Sequence, residues 1–413
     1  MFEIEEIRGQ NAKIKVVGIG GAGGNAINNM IASNMHGVEF IAVNTDLQVL
    51  ETSLAPVKVQ VGRQLTKGLG AGSNPEIGRQ AALEDRATIM DALEGCDMVF
   101  ITAGMGGGTG TGAAPVIASI AKEIGALTVA IITKPFFYEG KRRKENAEEG
   151  VRELSNCVDT LIVIPNDKIS LVVEKGTPVL KAFSVANDVL RQAVQGISDI
   201  ILVPGIINVD FADVKTVMES MGRAVMGAGS AKGEGSAFEA AKKAISNPLL
   251  EHSSIEGAKG ILINITGGLE LSIDDIQAAA SYIHDNAHED SVVIFGAVID
   301  PDMSEEVRVT VIATGFEERK EKVELPLIKK WAPAKEVREM REAKVATEVT
   351  EAREVRKNPM QPAALRASER VLGKSLNYSL EPAMPRDIFS YDEETDLPAF
   401  LRRSSPLMHE KGL

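Results

Sequence analysis

Short, nearly unbroken apolar runs alternate along the first 167 residues with segments whose apolar positions recur at helical spacing. "IKVVGIG" (14–20), "FIAVNTD" (40–46), "DMVFITAG" (97–104), "LTVAIITKP" (127–135) and "TLIVIPND" (160–167) each read as a buried strand running into a polar or glycine-rich loop. Strands apolar on both faces, separated by helices, predict an α/β fold with a parallel sheet covered on both sides. Ligands on such sheets bind beyond the carboxyl ends of the strands, and there the glycine clusters, "NTD" and "PND" fall.

A long helical pattern without internal proline covers 177–202, and a second set of elements follows. Strands are expected at 260–268, 291–301 and 307–316, and helices at 210–227, 236–246 and 272–286. The expected organisation is therefore a ligand-binding domain over 1–176, a connecting helix over 177–203 and a smaller α/β domain with a mixed sheet over 204–316. Beyond 316 the chain is charged and poor in large apolar residues, which predicts a flexible linker over 317–390. Within it, 334–357 has the charge spacing of a solvated helix. The last segment, 391–413, returns to apolar residues in "DLPAFLRR", which is either a docking peptide or a chance cluster.

Charge sharpens this division. The 413-residue chain carries a formal charge of −13, and residues 317–413, with 19 Lys+Arg against 18 Asp+Glu, contribute none of the excess. So acidic a globular part is a poor match for DNA binding, which runs on cations neutralising phosphates. It suits a small anion held by backbone amides and a divalent cation. No apolar run is long enough to span a membrane, and "MFEIEEIRGQ" lacks a signal core. The two cysteines, Cys96 and Cys157, match no metal spacing and read as reduced core residues of a cytoplasmic protein. The five histidines form no nucleophile–base arrangement.

The chemistry concentrates in three glycine loops. "GIGGAGGN" (18–25) satisfies G-x-G-x-x-G at Gly18, Gly20 and Gly23, and Asp46 closes the next strand, so a dinucleotide (NAD) site is one reading. "GMGGGTGTG" (104–112) follows another strand and opens a helix expected at "AAPVIASIAKEIG", with Pro115 in its first turn. It lacks the lysine of the usual phosphate loop. Glycines instead let successive amides surround an anion at the positive end of a helix, with Thr109 and Thr111 adding hydroxyls. "GLGAGSNP" (68–75) could close over a terminal phosphate. Three such loops at one sheet edge point to a di- or triphosphate. In "KPFFYEGKRRKENAEEG" (134–150), Glu139 could take ribose hydroxyls and Arg143 could reach phosphates, although such runs are commonly solvated helix faces.

In this order, "GGAGGNAINNM", "AVNTD", "TKGLGAGSNPEIGR", "GMGGGTGTGAAPV", "TKPF", "IPNDK", "AND" and "NVDFADV" resemble the tubulin/FtsZ superfamily over residues 12–316, specifically its bacterial cell-division branch. "DLPAFLRR" is similar to that branch's C-terminal peptide. The resemblance implies a tubulin-like fold and a GTPase using GTP/GDP and Mg2+. It implies phosphate contacts at Gly21, Ala22, Gly23, Gly24, Asn25, Ala71, Gly72, Gly108, Thr109 and Gly110. Glu139 and Arg143 would meet ribose and phosphate, and Asn166, Phe183 and Asp188 the base. A carboxylate at Asp188 would accept from guanine N1–H and its N2 amine, a pair adenine does not offer. Asn208, Asp210 and Asp213 would enter the site of the next subunit of a head-to-tail polymer and position the attacking water; alone, they read as an ordinary helix start. No protein ligands to the metal are expected. Asp396, Leu397, Pro398, Phe400, Leu401, Arg402 and Arg403 would dock on FtsA- or ZipA-like membrane tethers at a mid-cell ring, with neither nucleic-acid binding nor direct membrane insertion.

Overall fold

The computed structural model describes residues 12–316, apart from 175, 204, 249–254 and 302. Six strands, β1 (Ile14–Ile19), β2 (Val38–Asn44), β3 (Val57–Gln60), β4 (Met98–Gly104), β5 (Leu127–Lys134) and β6 (Thr160–Pro165), pair in parallel in the order β3-β2-β1-β4-β5-β6. This doubly wound order reverses between β1 and β4, which puts a crevice beyond their carboxyl ends. The helices between them are α1 (Gly20–Ala32), α2 (Leu47–Glu51), α3 (Arg63–Thr66), α4 (Pro75–Glu84), α5 (Arg86–Leu93), α6 (Thr109–Glu123), α7 (Lys141–Ser155) and α8 (Asn166–Ile169).

Alternation along the strands builds two cores. Met98 and Phe100 of β4 join Ile27 and Met30 of α1 and Ile197 of the following helix. Val99 and Ile101 join Ile117 of α6 and Leu154 of α7 on the other face.

The chain then enters α9 (Val179–Leu202), α10 (Phe211–Met218), β7 (Gly222–Lys232), α11 (Ser236–Ile245), β8 (Gly260–Gly267), α12 (Ile273–Asp285), β9 (Val292–Ile299) and β10 (Glu306–Thr314). β10 is antiparallel to β7 and β8, while β8 and β9 are parallel, so this part is mixed as expected. Two features depart from the sequence reading. The helical pattern expected over 210–227 ends at Met218, and β7 follows. β7 also pairs with β6 through Thr160↔Gly222, Leu161↔Arg223 and Ile162↔Ala224, which makes one continuous ten-stranded sheet.

α9 is the long axis of the arrangement. Its 24 residues span about 36 Å at 1.5 Å per residue. Near its start, the Phe183 ring meets Phe136, just beyond the end of β5, at 5.4 Å. Its last residue, Leu202, lies against Gly37, just before the start of β2. α9 therefore carries the chain from the carboxyl ends of the parallel strands to their amino ends.

Candidate functional site

The three glycine loops come together at the β1/β4 crevice. A side chain on Gly20, which sits at φ +71°, would press on the Gly110 amide at 3.0 Å. One on Gly104 would strike Ala22 Cβ at 2.5 Å, and one on Gly108 would strike Ala71 Cβ at 2.8 Å. Small residues thus let the first loop lie on the second, and the second on the third. Gly24, Gly72 and Gly107 behave differently, since a side chain there would meet nothing within 4 Å. Among the described residues no packing requires glycine at Gly24 or Gly107, whereas Gly72 sits at φ +59°, a left-handed conformation that itself favours glycine.

Local chemistry explains the arrangement. α1 and α6 both open without a side-chain cap, which leaves their first amides available to an anion. α6 begins at Thr109, earlier than expected, so "TGTG" forms its first turn and Pro115 lies inside the helix. Thr109 Oγ1 shares a 2.6 Å hydrogen bond with Thr45 Oγ1 at the end of β2. Thr111 does not offer its hydroxyl outward: it is 2% exposed and its Oγ1 accepts from the Gly106 amide at 2.8 Å. It braces the loop from behind. Asp46, the acid of the dinucleotide reading, caps α2 by accepting from the Val49 amide at 3.3 Å. The third loop is tied to β2 by the Leu47 amide, which donates to the Gly68 carbonyl at 3.0 Å.

A second cluster adjoins the first, since a side chain on Gly106 would meet the Arg143 carbonyl. Glu139 accepts from Arg143 Nη1 at 2.5 Å and from the Phe136 amide at 2.9 Å. The Phe137 amide donates to Asp167 at 2.8 Å, which holds the 136–139 turn against α8. Partial burial, reinforced by the Glu139 and Asp167 charges, pushes the Tyr138 phenol above its ordinary range. Asn166 is 6% exposed and its Oδ1 accepts no hydrogen bond, a buried acceptor awaiting a donor.

Asp188 sits differently. Its carboxylate accepts from Arg191 Nε at 2.7 Å and Gln192 Nε2 at 2.6 Å, both on its own helix. Asn187, which the sequence reading passed over, lies four residues after Phe183 and so shares its face of α9. That i, i+4 spacing was legible beforehand.

Asn208, Asp210 and Asp213 stand apart, at the far end of α9. All three are exposed. Asn208 Oδ1 accepts from the Gly205 amide at 2.6 Å, and Asp210 caps α10 by accepting from the Asp213 amide at 2.8 Å. Ile207 bridges to Ala297 of β9, so this loop sits beside the carboxyl end of β8 and β9. Residues 396–403 lie outside the described residues. Among the described residues, no group of three His, Cys, Asp or Glu side chains forms a metal site, and no helix is long and apolar enough to cross a membrane.

Residues 13–174 match the description "Tubulin/FtsZ family, GTPase domain", and residues 222–317 match "FtsZ family, C-terminal domain". Among solved structures, an FtsZ dimer from M. jannaschii, described as empty, is 45% identical with a TM-score of 0.72, over 75% of this chain and 89% of that one. A substituted form of FtsZ from M. jannaschii is also 45% identical at a TM-score of 0.71, covering 74% and 92%. CetZ2 of Haloferax volcanii, solved as a GTPγS-bound protofilament, shares the fold at 23% identity and a TM-score of 0.63, over 74% of this chain and 94% of that one. The two matched segments follow the fold on both sides of α9, and the identity to the M. jannaschii protein extends over most of both chains. The chain belongs to the tubulin/FtsZ family of GTPases and carries both the GTPase domain and the C-terminal domain of FtsZ.

Proposed function

We propose that this chain is a self-assembling GTPase of cell division whose active site forms between two copies. GTP sits in the three-loop crevice with its phosphates against the first amides of α1 and α6 and beside the open faces of Gly24, Gly72 and Gly107. Arg143 and Glu139 serve the phosphate and ribose sides. Asn166 accepts from the base, and Asn187, on the Phe183 face, takes the role that the sequence reading gave Asp188. Mg2+ travels with the nucleotide and offsets phosphate charge. Asn208, Asp210 and Asp213 belong to the neighbour's site, where they orient water for attack on the terminal phosphate; such hydrolysis depends on positioning and charge stabilisation.

The observation that carries this reading is the separation set by α9. Its length of about 36 Å keeps a chain's own acidic loop from its own glycine loops. The loop can therefore serve only another copy, in a head-to-tail contact that need not close. Exposed apolar side chains at both ends fit that contact. Leu69 and Phe137 flank the crevice at 75% and 79% exposure, and Leu269 and Ile273 flank the acidic loop at 80% and 79%.

GTP turnover per chain against protein concentration, with pelleting in parallel, tests the proposal. Activity that is negligible when dilute and rises as polymer appears is the expected result. Activity per chain independent of concentration would overturn it. Residues 396–403 are proposed to dock on FtsA- or ZipA-like tethers at a cytoplasmic mid-cell ring. Deleting 396–413 is expected to abolish that binding and leave turnover intact; retained binding refutes the assignment.

A further inference from the structure

Nucleotide chemistry does not use the polar seam between α9 and the mixed part of the sheet. Gln195, Gly196 and Asp199 on one face of α9 meet Asn264 of β8 and Arg308 and Thr310 of β10 around a small polar crevice, about 10 Å3 in volume. The approach is close: a side chain on Gly196 would lie 2.7 Å from the Thr310 methyl. Asn264 Nδ2 donates to the Gly196 carbonyl at 3.2 Å. Asn264 is 3% exposed, and its Oδ1 accepts no hydrogen bond.

A line of polar side chains leads from this seam along α9. Asp188 accepts from Arg191, Arg191 Nη1 donates to Gln195 Oε1, and Gln195 hydrogen-bonds Asp199. Burial pushes the Asp199 carboxyl up from 3.8 to about 6. The Gln195 hydrogen bond and the Arg308 and Arg191 charges oppose that rise, and Asp300, beyond β9, adds to it.

We propose that this seam is a proton-gated contact: neutral Asp199 lets α9 close on β8 and β10, ionised Asp199 draws water into the crevice, and Arg191 and Gln195 pass the change to Asp188, the chain neighbour of Asn187. The last step rests on the nucleotide reading above; the gate does not.

The sign follows from linkage. A raised carboxyl disfavours the closed state once ionised, so closure is strongest at low pH and is lost as pH rises through about 6. A group titrating near 6 when closed and near 3.8 when open increases opening about tenfold between pH 5 and pH 7.

Amide hydrogen exchange in α9 and β8 of the nucleotide-free full chain, corrected for intrinsic rates, reads this directly. Opening about tenfold greater at pH 7 than at pH 5 is expected, with Asp199→Asn equal at both and no more open than wild type at pH 5. A flat wild type, or an Asp199→Asn variant that keeps the wild-type dependence, overturns the gate. Asp300→Asn gives an independent reading: it moves the wild-type midpoint to lower pH, and an unmoved midpoint counts against the assignment. Gln195→Leu moves the exchange midpoint to higher pH, because it removes a hydrogen bond that favours ionised Asp199, and it removes the pH dependence of fluorescent-GDP affinity. If that dependence persists in Gln195→Leu, or is missing from wild type, the relay is overturned and the gate stands. Absence of GDP binding refutes the nucleotide reading and leaves the exchange result decisive.

Discussion

Gly24→Ala separates what the fold needs from what the ligand needs. Gly24 is inside α1, where a methyl group would meet nothing within 4 Å. Glycine in a helix interior is less favourable than alanine by about 0.5–1 kcal/mol. Nucleotide-free Gly24→Ala should therefore be more stable than wild type by that amount, a rise of about 1–4 °C in Tm for a domain of this size. Bound GDP should reverse the ranking. At a concentration a hundredfold above Kd it stabilises wild type by about 2.7 kcal/mol. A methyl group intruding between backbone and phosphate should weaken affinity at least tenfold, which removes about 1.4 kcal/mol of that stabilisation. Thermal unfolding with and without GDP reads both quantities. A GDP-induced shift equal to wild type would refute the argument, since the open face of Gly24 would then have no ligand to serve.

Gly112→Ala should behave oppositely: its methyl would sit 1.8 Å from the Pro75 carbonyl, forcing α4 from α6, with a loss near the upper end of the roughly 1–3 kcal/mol range for overpacking, read by chemical denaturation. Asp210→Asn keeps a good helix cap and removes the charge, so Tm should hold while assembly-dependent GTP turnover falls at least tenfold, about 1.4 kcal/mol in barrier; unchanged turnover would reduce Asp210 to a cap. Asn187→Ala should lower discrimination of GDP over ADP, measured by competition, about tenfold or more, whereas Asp188→Ala should alter it little. Asn166→Ala should weaken GDP more than ADP, because it removes the buried oxygen proposed to accept from the guanine and leaves that donor unpaired.

The parallel sheet was legible because its strands are buried on both faces and so read as continuous apolar runs. β7 was not, and its composition explains why. "GRAVMGAGSAK" lacks bulky alternation because Gly227 and Gly229 let α11 approach: side chains there would lie 2.0 and 2.3 Å from the carbonyls of Ala244 and Ala240. Residues chosen for close helix–strand contact carry no strand signal, and the preceding helical spacing ran on through them. β3 escaped notice as a four-residue edge strand, "VKVQ", with two exposed positions. At the site, the glycine loops announced themselves, but what each glycine does needed coordinates. Gly108 packs, Gly24 does not, and the string "GGAGGN…GGGTGTG" does not distinguish them. The Thr111 hydroxyl likewise read as a ligand donor until its inward hydrogen bond was seen. The resemblance implied Asp188 for the base, and the structure shows its carboxylate accepting from Arg191 and Gln192 of its own helix, while Asn187 shares the Phe183 face.

The joint between β6 and β7 has a mechanical consequence. Three residue pairs connect these strands, whereas nine connect β7 to β10. A load drawing the two halves of the sheet apart would therefore meet a short row of hydrogen bonds backed by the face of α9 that packs on both halves. What the backbone leaves narrow the side chains widen: a single core under α9 joins Ile162 and Ile164 to Met226, Leu262 and Ile312, so the joint holds through buried apolar contact more than through strand pairing.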